Sequence, residues 1–280
     1  MQHYFDGILR KAVRKQATDI YFKISETHMT LAIMSPLGYE LMDALDLESG
    51  AALIRYVKYQ SHLDLAESRR PQAGHWCVTC NKQILHLRTS TVGDFKGAES
   101  LVIRIIYPLN GLERHMQQNS ALENFGLGLV NRAGLMIIGG AMGAGKSTTM
   151  AYLIDRFLVK RSILSIEDPV EIEQPAVLQL QVNVAANMTY PNLLKLALRH
   201  HPQVIVIGEI RDTQTAKVVV EAALSGHLIL TTVHALGLAE IKQRLVNLGV
   251  RPDDFELGVT GIAFQERTAS QLSFSYQFLR

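Results

Sequence analysis

Cysteine is nearly absent from this chain: Cys77 and Cys80 are the only two in 280 residues. Two thiols leave no disulfide framework to build a fold on. Their C-x-x-C spacing, with His75 and His86 nearby, keeps zinc ligation or redox chemistry open. The ligand spacing is irregular, however, and the segment reads as strands, where residues three apart point to opposite faces. Long apolar runs are also missing. The best candidate for a span of roughly 18 apolar residues, Val218–Leu236, is broken by Glu221, His227 and His234, so no transmembrane segment is expected. The opening Met1-Gln2-His3-Tyr4-Phe5-Asp6 lacks the basic-then-apolar layout of a signal peptide, and a cytoplasmic location is expected. Excess charge is the third absence. The net charge is +2, with 13 basic and 11 acidic residues through Ile105 and 15 of each after it. That balance argues against a large basic surface, and no direct nucleic-acid binding is expected.

What is present is core-forming material. Apolar residues make up 48% of the chain, with no low-complexity segment and no internal repeat. The first half mixes helices with short strands. A basic amphipathic helix near Tyr4–Gln16 precedes Asp19–Ile24 and Thr30–Met34, and Ser35-Pro36-Leu37-Gly38 is a turn signal. A helix near Ser49–Gln60 follows, then strands around Gly74–Thr79, Gln83–Thr91 and Leu101–Ile106. This order is α+β. A linker is expected at 108–119, separating a domain of residues 1–107 from one of residues 120–280, which Ser120-Ala121-Leu122-Glu123 opens as a capping box. Beyond it the pattern is β-α-β-α, with strands near Leu135–Ile138, Ser162–Ile166, Val204–Ile207 and Leu228–Thr232. Near-continuous apolar strands of this kind suit a parallel sheet covered on both faces. On the basic ridge Arg10, Lys11, Arg14 and Lys15, a solvated helix face and a contact with anionic lipid or a neighbouring subunit both stay open.

Between the first two of those strands and helices runs Gly140-Ala141-Met142-Gly143-Ala144-Gly145-Lys146-Ser147, a complete G-x-x-x-x-G-K-[ST] phosphate loop followed by Thr148. Its glycines let backbone N–H groups turn inward around a phosphate, and the helix N-terminus adds its positive dipole end. Lys146 is expected to reach the β- and γ-phosphates of ATP and Ser147 to complete a Mg²⁺ shell. Hydrolysis needs acids as well, and two clusters end apolar strands: Glu167-Asp168-Pro169-Val170-Glu171 and Gly208-Glu209-Ile210-Arg211-Asp212. Gly208 stands where a Mg²⁺-linked aspartate is usual in a Walker B strand, so Glu209 is expected to carry that role. Asp212 reads as a helix N-cap, and Asp168 before a proline as a turn residue or an active one. His234 ends the strand from Leu228; read from its residues alone, it is a structural histidine.

Together, Gly140–Thr149, Ser165–Glu171, Arg199 through Asp212 and Ser225–Ala235 resemble, in order, the Walker A, aspartate-box, Walker B and histidine-box motifs of the type II/type IV secretion ATPases. Upstream, Ala17–Tyr21, Leu87–Thr91 and Val102–Ile105 are similar to that family's first-domain strands, with Tyr21 in place of a histidine. Tyr56–Tyr59 and Ser68–Gly74 look like the competence-type members. The resemblance implies a RecA-like P-loop NTPase core with a smaller α+β, PAS-like N-terminal domain. It implies an ATPase using Mg²⁺, working as a homohexamer on the cytoplasmic face of the membrane. With a polytopic membrane platform protein, such a motor drives assembly of a competence pseudopilus for DNA uptake. Residue by residue, Glu167 matches the general base, Glu209 the Walker B glutamate and His234 the γ-phosphate sensor. Arg88 and Arg104 match arginines that reach the nucleotide, a surface ion-pair role being the alternative. The alternatives of function are a retraction or secretion motor of the same family, a nucleotide-gated scaffold with little hydrolysis, and a DNA-translocating RecA-type ATPase. Two segments depart from the family pattern. His201-Pro202-Gln203 stands where Asp-Pro-Asp is common, and after Gly261–Gln265 the residues Glu266–Ser270 imply that the family's helical tail is short or altered.

Overall fold

The computed structural model describes residues 1–108, 116–267 and 272–280. The chain divides into two compact units, residues 1–108 and 109–280. Most of the linker expected at 108–119 lies outside the described residues.

The first unit is a six-stranded antiparallel sheet in the order β3-β2-β1-β6-β5-β4. Its strands are β1 (Asp19–Ile24), β2 (Met29–Ser35), β3 (Gly38–Leu45), β4 (Gln72–Cys80), β5 (Gln83–Gly93) and β6 (Glu99–Ile106). Alternate residues of these strands (Ile20 and Phe22, Leu31 and Ile33, Leu85 and Leu87, Leu101 and Ile103) point to one face. There they meet Phe5, Leu9 and Ala12 of helix α1 (Gln2–Arg14) and Leu53, Ile54 and Val57 of helix α2 (Leu47–Gln60). Two successive helical stripes on one sheet face make the α+β arrangement. Strand β3 has no counterpart among the expected elements; its Tyr39 and Leu41 are exposed at the sheet edge, so burial gave it no apolar rhythm. On β4, Cys77 is exposed and Cys80 buried, the opposite-face placement expected of residues three apart. Cys77 Sγ lies 3.3 Å from His86 Nδ1, and burial pushes the Cys80 thiol pKa up. On α1, the side chains of the basic ridge are exposed, and Lys15 pairs with Glu40.

The second unit holds a seven-stranded sheet, β13-β12-β7-β11-β10-β8-β9. Strands β7 (Gly134–Gly140), β8 (Ile163–Glu167), β9 (Leu178–Gln181), β10 (Val204–Ile207), β11 (Leu228–Val233) and β12 (Val259–Arg267) pair in parallel, and β13 (Leu272–Phe278) is antiparallel to β12. The central strands are apolar on both sides because both faces are covered. Leu135, Ile137, Leu164, Ile205 and Ile229 pack under helices α5 (Tyr190–Arg199), α6 (Thr213–Leu224), α7 (Glu240–Asn247) and α8 (Pro252–Gly258). Their strand neighbours Met136, Ile138, Val204, Val206 and Leu230 face α3 (Ser120–Leu129) and α4 (Lys146–Leu153).

One local expectation is corrected here. Helix α3 is capped by Asn119, whose side chain accepts from the Leu122 N–H, rather than by Ser120. Glu123, free of the capping box, accepts instead from the buried Tyr152 hydroxyl. The altered tail is a strand: Leu272-Ser273-Phe274-Ser275-Tyr276-Gln277-Phe278 alternates apolar and polar residues, the period of a half-buried strand. Phe274, Tyr276 and Phe278 lay their rings against Phe125 of α3 at centroid distances of 5.5–5.6 Å. Among the described residues no helix is long and apolar enough to cross a membrane.

Candidate functional site

Strand β7 ends at Gly140, beside Gln265 on β12. A Cβ at Gly140 would lie 2.5 Å from the Gln265 carbonyl oxygen, so a glycine is required where the chain leaves the sheet. Gly145, at φ +86°, turns the loop into α4 through the left-handed region. As N-cap it carries no side-chain acceptor, which leaves the first N–H groups of α4 available to an anion. Ala141, Met142, Gly143 and Ser147 are exposed, Thr148 is half-buried and Ala144 is buried. Lys146 is buried and its Nζ donates to the carbonyl oxygens of Gly140 (2.9 Å) and Ala141 (2.8 Å). Burial lowers its pKa, with the Glu171 carboxylate acting in the opposite direction. An uncapped helix start, a glycine turn and a lysine held only by loop carbonyls fit a triphosphate, and the exposed Ser147 hydroxyl fits a hard cation.

The acids and the histidine stand at the C-terminal ends of the neighbouring strands. Glu167 closes β8, and its Oε1 accepts from Ser165 Oγ (2.6 Å) and Gln179 Nε2 (3.1 Å). The Gly208 N–H donates to the Ile166 carbonyl (2.9 Å), and Thr232 Oγ1 donates to the Gly208 carbonyl (2.8 Å). These bonds pin the segment after β10 between β8 and β11 and stand Glu209 at the sheet edge. Glu209 pairs with Arg211, and its Oε2 lies 3.5 Å from His234 Nε2. Desolvation first, and then the Lys146 cation, lower the His234 pKa, while a backbone hydrogen bond to Gly140 opposes them. These effects favour the neutral ring, which faces the phosphate loop. The structure thus gathers Lys146, Glu209 and His234 from three separate strand ends, with Glu167 on the adjacent strand. Asp212 is the N-cap of α6, accepting from the Thr215 N–H and hydroxyl at 2.8 Å each.

Arg88 and Arg104 belong to the first unit, where they are register partners on β5 and β6. Arg104 donates to Asp19 Oδ1 at 2.9 Å, from a side chain that is 60% exposed.

Several residues had been overlooked. Gln265, 1% exposed, donates to the Ala144 carbonyl at 2.6 Å and so ties β12 to the phosphate loop. The signal was present: a polar residue ends the apolar Ile262-Ala263-Phe264, the same pattern that marked Glu167 and Glu209. Ser165, buried inside β8, carried a weaker version of it. Gln179 and Tyr190 carried none, because only the folded sheet brings them beside Glu167.

The description of type II/IV secretion system proteins matches residues 1–273. The chain belongs to that family. Its phosphate loop sits at the end of β7, in a largely parallel sheet. It is 38% identical over 271 residues to competence protein ComGA of Streptococcus pneumoniae, across 95% of this chain and 84% of that protein. Against type II secretion system protein HxcR of Pseudomonas aeruginosa it is 33% identical over 271 residues, across 93% of this chain and 56% of the longer protein. The X-ray structure of the Legionella pneumophila ATPase DotB shares the fold of this chain at a TM-score of 0.78, with 22% identity and coverage of 99% and 81%.

Proposed function

We propose that this secretion ATPase is the ATP-hydrolysing subunit of a homohexameric motor, peripheral on the cytoplasmic face of the membrane. It powers assembly of a competence pseudopilus through a polytopic membrane platform protein. The observation that carries the chemistry is the convergence of Lys146, Glu209 and His234 at one sheet edge beside Glu167.

In the proposed cycle, ATP enters with its phosphates against the N–H groups of residues 141–148, and Lys146 exchanges the Gly140 and Ala141 carbonyls for phosphate oxygens. Ser147 and Glu209 hold Mg²⁺, which when bound offsets the charge building on the phosphate oxygens. Glu167 takes a proton from the attacking water as its oxygen bonds to the γ-phosphorus and the bond to the bridging oxygen breaks. His234, neutral, donates an N–H to the γ-phosphate without adding a second cation beside Lys146. The competence-type sequence segments and the similarity to ComGA support assembly over retraction. Gly208 in place of the usual Walker B aspartate favours a second reading, a nucleotide-gated scaffold with little hydrolysis.

The test is Mg²⁺-dependent ATP turnover by the full chain as a function of its concentration, with oligomer mass measured alongside. Lys146→Ala is expected to abolish binding. Glu167→Gln is expected to bind ATP with turnover reduced at least about a hundredfold. Full turnover in Glu167→Gln rejects the base assignment. Nucleotide binding without turnover in the wild-type hexamer establishes the scaffold instead.

A further inference from the structure

Tyr190, the first residue of α5, is half-buried and packs against the core that contains Leu194, Ile207 and Val219. Its buried hydroxyl proton finds no acceptor among the described residues; the backbone of Asp168 approaches its oxygen. Buried hydroxyls are nearly always bonded, so an orphan donor inside a family of catalytic side chains calls for an explanation. Its position supplies one. A Cβ built on Gly208 would lie 3.5 Å from Tyr190 Oη, 3.4 Å from Glu167 Cα and 3.5 Å from Glu167 Cγ. The phenol, the Walker B glycine and the Glu167 side chain therefore surround one space about the size of a methyl group. Glu167 has one oxygen, Oε1, already engaged by Ser165 and Gln179. Burial and then the Asp168 carboxylate keep the phenol protonated well past neutral pH, with Glu167 adding to the effect and Arg211 opposing it. It is a hydrogen-bond donor in search of an acceptor, and the carboxylate beside it needs its second oxygen placed.

We propose that Tyr190 is a positioning residue for Glu167, its hydroxyl donating to the carboxylate when Glu167 is aligned to take a proton from the attacking water. This rests on Glu167 as the base. An unsatisfied hydroxyl proton in the resting protein is then the cost of a bond made only in the aligned state.

The experiment is Tyr190→Phe in the full chain, read by steady-state Mg²⁺-ATP turnover, by nucleotide affinity and by thermal melting. The expected result is a fall in kcat of about ten- to hundredfold, with affinity within about twofold and the melting temperature unchanged or raised. In the Glu167→Gln background the same substitution should produce no further loss, because the two act as one unit. A kcat within about twofold of wild type overturns the proposal. So does a joint fall in kcat, affinity and melting temperature, which marks a packing role. Full turnover in Glu167→Gln alone sinks the base assignment, a failure distinct from a Tyr190→Phe that is fully active while Glu167→Gln is dead.

Discussion

Gln265→Met separates loop shaping from stability at the phosphate loop. Methionine keeps nearly the length of glutamine and fills the same space on β12, but it removes both amide atoms. One of them, Nε2, donates to the Ala144 carbonyl at 2.6 Å. Losing that bond leaves the buried carbonyl without its donor, at a cost of about 1–3 kcal/mol. The other atom, Oε1, is buried with no partner among the described residues. Its removal returns about 1–3 kcal/mol. The two effects nearly cancel, so the melting temperature should move by only a few degrees. Nucleotide affinity has no such compensation. With Ala144 untied, ATP must order at least one more loop residue, at about 1–1.5 kcal/mol. That corresponds to a Kd weaker by roughly five- to tenfold. Titration calorimetry with Mg²⁺-ATP on the full chain reads it directly. An unchanged Kd would refute the reasoning, and a collapsed melting temperature would show that Gln265 serves packing instead.

Asp212→Ala should destabilise the second unit by about 1 kcal/mol by uncapping α6, while Asp212→Asn should recover most of the loss, both measured by denaturant midpoint. The His234 imidazole should titrate below the usual histidine value in a pH series followed by NMR, because burial and Lys146 both disfavour its charged form. Its midpoint should rise in Lys146→Ala, and an unmoved midpoint would dissociate the two residues. A lowered folded pKa means that the unfolded chain takes up its proton first. Stability contributed by this ring is thus complete above the unfolded value of about 6.5 and declines as pH falls below it.

The nucleotide machinery was legible because its parts are local. A phosphate loop is one contiguous turn whose glycines and lysine act through backbone they carry themselves, and strand-end acids announce themselves as charges closing apolar runs. The capping role of Asp212 likewise needs only the three residues after it. The strands Asp19–Ile24 and Val204–Ile207 were read to the residue, since burial on one face or on both writes itself into period and composition. Three strands were lost: β3 and the four-residue β9 have no buried rhythm to show, and the alternation of Leu272–Phe278 follows a departure from the family pattern.

By itself, the order of amino acids pointed to a triphosphate loop at residues 140–147 and to the carboxylates and histidine at the ends of the strands around it. Each of those rests on neighbours a few positions apart, where bond geometry alone limits the outcomes. Tertiary structure alone decided who holds whom: Gln265 on the loop across more than a hundred residues, Ser165 and Gln179 on one oxygen of Glu167, Glu209 between Arg211 and His234, and, beside the base, a phenol whose proton finds no acceptor among the described residues. Such partners are chosen by strand order and register, and those depend on how two apolar faces are covered rather than on any stretch of sequence read alone.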